Sequence, residues 1–143
     1  MKKLLVMLTM VMTFAFASVC AAYDGSVLNK EQKAAEMMNN AVSGQNVAHA
    51  QVISGMTDDL KKQITEELMA NLQKQVKDQF GDLKEIRFVS FERYADGDKL
   101  VYAASFSKEK TVAMIYIFDA KQKMVNFNYM PIKEQAPKEE AKK

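Results

Sequence analysis

Few side chains in this sequence have the types and spacing that proton, metal or nucleophilic chemistry requires. Tyr102, Tyr116, Asn126 and Asn128 lie in stretches rich in Val, Ile, Phe and Tyr, and Glu92 is the only carboxylate in the middle of such a stretch. Phenol hydroxyls beside a carboxylate could serve an isomerase or hydratase, in which a Tyr steadies an oxyanion while an acid moves the proton. These five residues are the candidates for a ligand pocket, and none is assigned a catalytic role. His49, the only histidine, sits between Ala48 and Ala50 with no acid or nucleophile close in sequence, as an ordinary packed or surface histidine would. Asp58-Asp59 and Glu66-Glu67 pair carboxylates at helix starts, where acids favour the helix dipole without any metal. Asp96-Gly97-Asp98 is too short for a twelve-residue calcium loop and reads as a hairpin turn. No glycine-rich phosphate loop, Gly-x-Ser-x-Gly elbow or His-Glu-x-x-His occurs, so no metal and no cofactor is expected.

The ends of the chain set the context. Met1-Lys2-Lys3 is followed by an apolar run and then by Ser18-Val19-Cys20-Ala21-Ala22, the order of a secretory signal peptide. Cleavage is expected between Ala22 and Tyr23, giving residues 1–22 as leader and an exported protein, periplasmic or extracellular. Two alternatives stand beside this. Residues 4–23 are uncharged and near the length that spans a bilayer, so the segment could stay as an anchor. Cys20 could instead carry a lipid, although Ala17-Ser18-Val19 is a poor approach to a lipidated cysteine. Membrane contact is expected only through this segment or such a lipid. The net charge of +2 is too small for a nucleic-acid partner and comes from Lys2 and Lys3, so the processed chain is charge-balanced and cysteine-free. Residues 131–143 read as a disordered charged tail, leaving 23–130 as a single domain.

The elements that must position the candidates follow from periodicity. Asn29 and Gln32 form a capping box before a helix over 30–42, with Ala34, Met37, Met38, Ala41 and Val42 on one side and Gly44 after it. A short helix follows over 46–53. Leu60, Ile64, Leu68, Leu72, Val76 and Phe80 then recur every four residues. Four residues advance a helix by about 400°, so the stripe drifts about 40° per step and no single straight helix can bury it. Thr65 is expected to cap a new helix over 66–80, with Leu68, Leu72, Val76 and Phe80 on one broad face and Gly81 as its stop. Beyond Gly81 the period becomes two, over 86–94, 99–106, 111–119 and 124–130, with short turns between. Helices followed by a four-stranded antiparallel meander make the class α+β. Placing Ser107 opposite Thr111 pairs Tyr102 with Tyr116, Leu100 with Phe118 and Lys99 with Asp119. Both faces of the central strands are apolar, so helices should cover one and something else the other.

Residues 34–41, running into 43–50, together with Thr57-Asp58-Asp59-Leu60, Gly81-Asp82-Leu83-Lys84 and the turn from Asp119 to Met124, resemble the family called domain of unknown function 3887, within the nuclear-transport-factor-2-like superfamily. Val47 replaces a usual aromatic, and Gln122 stands where the last turn usually has Gly; a positive φ there would cost about 1 kcal/mol. The resemblance implies a curved sheet wrapped on helices into a cone with a pocket, frequently dimeric through the sheet, and it implies no activity. The expected function is an exported, non-enzymatic domain binding a small apolar or mixed ligand, or a protein partner, through its sheet and pocket. The alternative is an isomerase- or hydratase-like enzyme using Glu92 with Tyr102 or Tyr116.

Overall fold

The first helix is longer than its capping signal suggests. In a computed structural model, which describes residues 25–133, α1 spans Gly25–Val42. Asn29 therefore lies inside the helix and does not cap it. The physical reason is that the helical stripe begins earlier: Leu28 packs against the core formed by Ala35, Met38 and Val42. The helix ends in a Schellman arrangement, with Gln45 N–H donating to Asn40 O at 3.0 Å and Gly44 N–H to Ala41 O at 3.2 Å. Gly44 takes the left-handed conformation this closure requires, at φ 86.

Helices α2 (His49–Ile53), α3 (Asp58–Gln63) and α4 (Glu66–Phe80) follow. The predicted break at Thr65 is present, and the Thr65 hydroxyl accepts from Leu68 N–H at 3.1 Å. The expected buried face of α4 is corrected at its first turn. Leu68 is 43% exposed, whereas Met69, Val76 and Phe80 are buried and Leu72 half-buried. Three four-residue steps back from Phe80 carry Leu68 about 120° off the core direction, while Met69 lies only about 20° from it. Gly81 stops the helix at φ 86, where a Cβ would lie 2.0 Å from Ser107 Oγ.

Four antiparallel strands complete the α+β fold: β1 (Leu83–Tyr94), β2 (Gly97–Phe106), β3 (Val112–Asp119) and β4 (Met124–Pro131), in the order β1-β2-β3-β4. The β2–β3 register differs from the expected one by two residues, pairing Tyr102 with Met114, Leu100 with Tyr116 and Lys99 with Ile117. The loop between these strands is held away from the sheet. Ser107 N–H donates to Asp82 O at 2.8 Å, Lys108 N–H to Phe80 O at 2.9 Å, and Phe106 N–H closes on Glu109 O at 2.8 Å. The ladder therefore begins at Ala104–Val112. An even slip keeps every side chain on its face, so the two-face pattern stands.

One face carries Leu100, Tyr102, Ala104, Phe106, Val112, Met114, Tyr116 and Phe118, all buried in a single core with residues of all four helices. Met124 fastens the link between α2 and α3 to the sheet, its N–H donating to Gly55 O at 2.7 Å and its carbonyl accepting from Thr57 N–H at 3.0 Å. On the opposite face Val101, Ala103, Ile115 and Ile117 are only half-buried. The fold also runs slightly past its expected end: Pro131 pairs with Val112, and Ile132 N–H donates to Thr111 O at 2.8 Å. The expected leader, its expected cleavage between Ala22 and Tyr23, Cys20, and residues 134–143 of the expected tail lie outside the described residues.

Candidate functional site

The structure separates the five candidate residues. Pairing of Phe88 with Tyr102, and of Phe91 with Leu100, puts the even positions of β2 against the helices; Glu92, opposite Lys99, faces the other way. Asn126 and Asn128 pair with Ile117 and Ile115, again on the open face. Tyr102 and Tyr116 are thus on one side of the sheet and Glu92, Asn126 and Asn128 on the other. No Glu–Tyr pocket is formed, because residues an odd number apart on a strand cannot share a face unless a bulge intervenes. Glu92 forms an ion pair with Lys99 at 2.8 Å and accepts from the Tyr94 hydroxyl. The Lys99 bond first, and then that of Tyr94, hold its carboxyl below the ordinary value, away from the near-neutral range suited to a proton shuttle. Asn126 turns its carbonyl back onto Phe127 N–H at 2.8 Å.

The covered face carries a row of tyrosines. Rings of Tyr102 and Tyr116 meet edge to face at 6.0 Å between centroids, and Tyr116 and Tyr129 at 6.1 Å. Tyr116 is fully buried, and its hydroxyl donates to Asn39 Oδ1 of α1. The hydroxyls of Tyr116 and Tyr129 are 3.2 Å apart, so Tyr129 supplies the proton of that contact. Tyr102 differs, since its buried hydroxyl meets no partner. Burial first, and then the Glu36 carboxylate, push it up to about 12. Three phenols that hold their protons so firmly make a structural ladder from sheet to helix.

A second buried polar group was not legible as such in the sequence. Glu31 on α1 is 0% exposed, and neither of its carboxylate oxygens meets a hydrogen-bond donor. Its neighbour is Asp98 at the start of β2, itself 4% exposed, with Arg93 Nε 3.7 Å from Asp98 Oδ1. Burial, and then Asp98, raise the Glu31 carboxyl from 4.5 to about 8, against a weaker pull from Arg93. Two carboxylates in contact repel unless one carries a proton, and then the contact becomes a hydrogen bond. The sequence signal was available in principle, because Glu31 precedes Ala35, Met38 and Val42 on the buried stripe of α1. Asp98 gave no such sign, being placed in a turn.

His49 is accounted for by packing: its Nε2–H donates to the Ile64 carbonyl at 2.7 Å, across the break between α3 and α4. Among the described residues no group of three or more His, Cys, Asp or Glu side chains could hold a metal ion, and no helix is long and apolar enough to cross a membrane.

The profile of the family described as Protein of unknown function (DUF3887) matches residues 34–127, from the middle of α1 into β4. The chain belongs to this family. No curated protein and no solved structure matches it. The family match spans Tyr102, Tyr116, the Asn39 partner and Asp98, whereas Glu31 lies just before it and Tyr129 just after it. The family's description names no reaction.

Proposed function

We propose that this chain is an exported, non-enzymatic binding domain of nuclear-transport-factor-2-like, cone-like architecture, which takes a protein partner, a second copy of itself included, on the open face of its sheet. The observation that carries this reading is the row of Val101, Ile115 and Ile117 in the middle of that face, half-buried and away from the helices, with Met130 beside it 42% exposed. Antiparallel sheets with one solvated face normally turn polar residues outward. Here the polar groups, Lys99, Glu92, Asn126 and Asn128, stand around the apolar row. An apolar centre with a polar rim is the layout of an interface. The covered face is less suited to a ligand, because Leu100, Tyr116 and Phe118 fill it to the point of full burial. The export reading rests on the basic start, apolar run and small residues of the leader.

The experiment is sedimentation and native mass spectrometry of the protein as its host processes it, with Ile117→Lys beside it. The expected result is a dimer or a stoichiometric complex that the substitution splits without lowering thermal stability. A processed protein that is monomeric and partner-free would refute the reading. Retention of the first 22 residues, read from the mass, would refute its export by leader cleavage.

A further inference from the structure

The open face drops in height at one end. Cross-strand pairs put Glu85 opposite Ser105, Arg87 opposite Ala103, and Ala103 opposite Ala113, so small side chains occupy the middle and long charged ones the side. The result is a cleft of about 380 Å³ with Ala103 and Ser105 as its floor, Glu85 and Arg87 on the β1 wall, and Lys110 and Thr111 on the wall leading into β3. Its volume is within the range of small-ligand sites. Its walls carry charge of both signs, Glu85 against Arg87 and Lys110. Glu92 and Lys99, the neighbouring charged pair on the same face, form an ion pair at 2.8 Å. Glu85, Arg87 and Lys110 form no ion pair or side-chain hydrogen bond among the described residues, and the hydroxyls of Ser105 and Thr111 likewise have none.

The geometry points to a binding site for a small zwitterion of the amino-acid or short-peptide class in this cleft. Arg87 and Lys110, on opposite walls, converge on a carboxylate over the small floor; Arg supplies the planar fork that grips it and Lys a mobile point charge. Glu85, two residues from Arg87 on the same strand face and therefore about 7 Å away, receives the ammonium group. Ser105 and Thr111 supply hydroxyls that serve either end. Ala103 and Ser105 are the specificity element, because any larger side chain at either position would fill the floor. This site rests on the reading of the open face as the working surface, but it is distinct from the Val101–Ile115–Ile117 row.

The test is nuclear magnetic resonance titration of the processed protein with glycylglycine, with acetate and with ethylammonium. Glycylglycine is expected to produce saturable shifts confined to the amides of residues 85–87, 103–105 and 110–111, with acetate binding at least about tenfold more weakly and ethylammonium more weakly still. Arg87→Gln should weaken glycylglycine about tenfold, and Glu85→Gln should make glycylglycine and acetate bind alike. Ala103→Leu, which blocks the floor and leaves every charge in place, should abolish the shifts. Non-saturable shifts, shifts elsewhere on the molecule, or acetate binding as well as glycylglycine would overturn the assignment. Repeating the titration with Ile117→Lys separates the two readings, since the cleft is expected to bind unchanged in a protein whose apolar row no longer engages a partner.

Discussion

Replacing Glu31 by Gln removes the titrating proton from the buried acid pair and leaves its shape in place. The glutamate is fully buried beside Asp98, and its carboxyl titrates at about 8 in the folded chain against 4.5 when solvated. A group whose folded value is raised binds more protons folded than unfolded between those two limits, so stability falls as pH rises across the window. The stabilisation is complete below pH 4.5 and is lost as pH passes through about 8. Each pH unit inside the window costs at most about 1.4 kcal/mol, and by pH 7 the loss is roughly 3 kcal/mol. The glutamine introduced by Glu31→Gln cannot ionise, and its amide donates to Asp98, so the variant escapes that loss. Urea unfolding followed by far-ultraviolet circular dichroism, at half-unit steps from pH 4.5 to 8.5, reads the difference between wild type and variant; groups common to both cancel. The expected curves meet near pH 4.5–5 and separate until the variant is roughly 3 kcal/mol more stable near neutrality. Parallel curves over the whole window would show that Glu31 does not hold a proton there, and the account of the acid pair would fail.

The tyrosine ladder gives an opposed pair of expectations. Tyr116→Phe strips Asn39 Oδ1 of its donor inside the core and should cost about 1–3 kcal/mol in chemical denaturation. Tyr102→Phe removes a buried hydroxyl that has no partner and should be neutral or stabilising by up to about 1 kcal/mol; equal losses at the two sites would contradict the hydrogen-bond assignment. The last turn provides the third prediction. Gln122 adopts φ 57, the conformation that favours glycine, while Asp119 Oδ1 accepts from Lys121 and Lys123 N–H at 2.9 Å each. Gln122→Gly should therefore raise stability by about 0.5–1 kcal/mol, visible as an upward shift in the unfolding midpoint, and a loss would mean that the glutamine side chain contributes more than its backbone strain costs.

Legibility in the sequence followed the range of the interactions concerned. The Thr65 break, the Gly81 stop and the four strands were readable because capping bonds and two-residue alternation are local. The positive φ at Gln122 was signalled only through the family resemblance, which puts a glycine at this place in the last turn. The start of α1 was misread because a capping box is a short pattern and the stripe from Leu28 outweighs it. The β2–β3 register was misread because its loop is fixed by Phe80 and Asp82, more than twenty residues earlier in the chain.

For the candidate site the division is sharper. Residue types alone brought out Tyr102, Tyr116, Glu92, Asn126 and Asn128, and strand parity already carried the means to divide them between two faces. What each then meets was decided by tertiary structure. Asn39 reaches Tyr116 across 77 positions of sequence, and Asp98 meets Glu31 only because α1 lies over the start of β2. The sequence by itself determined the class, the order of elements and the two apolar faces, since these arise from local propensity and periodicity. Packing decided which face was covered, which carboxylate lost its water and which phenol found a partner, because burial and charge coupling exist only between residues that the fold has brought together.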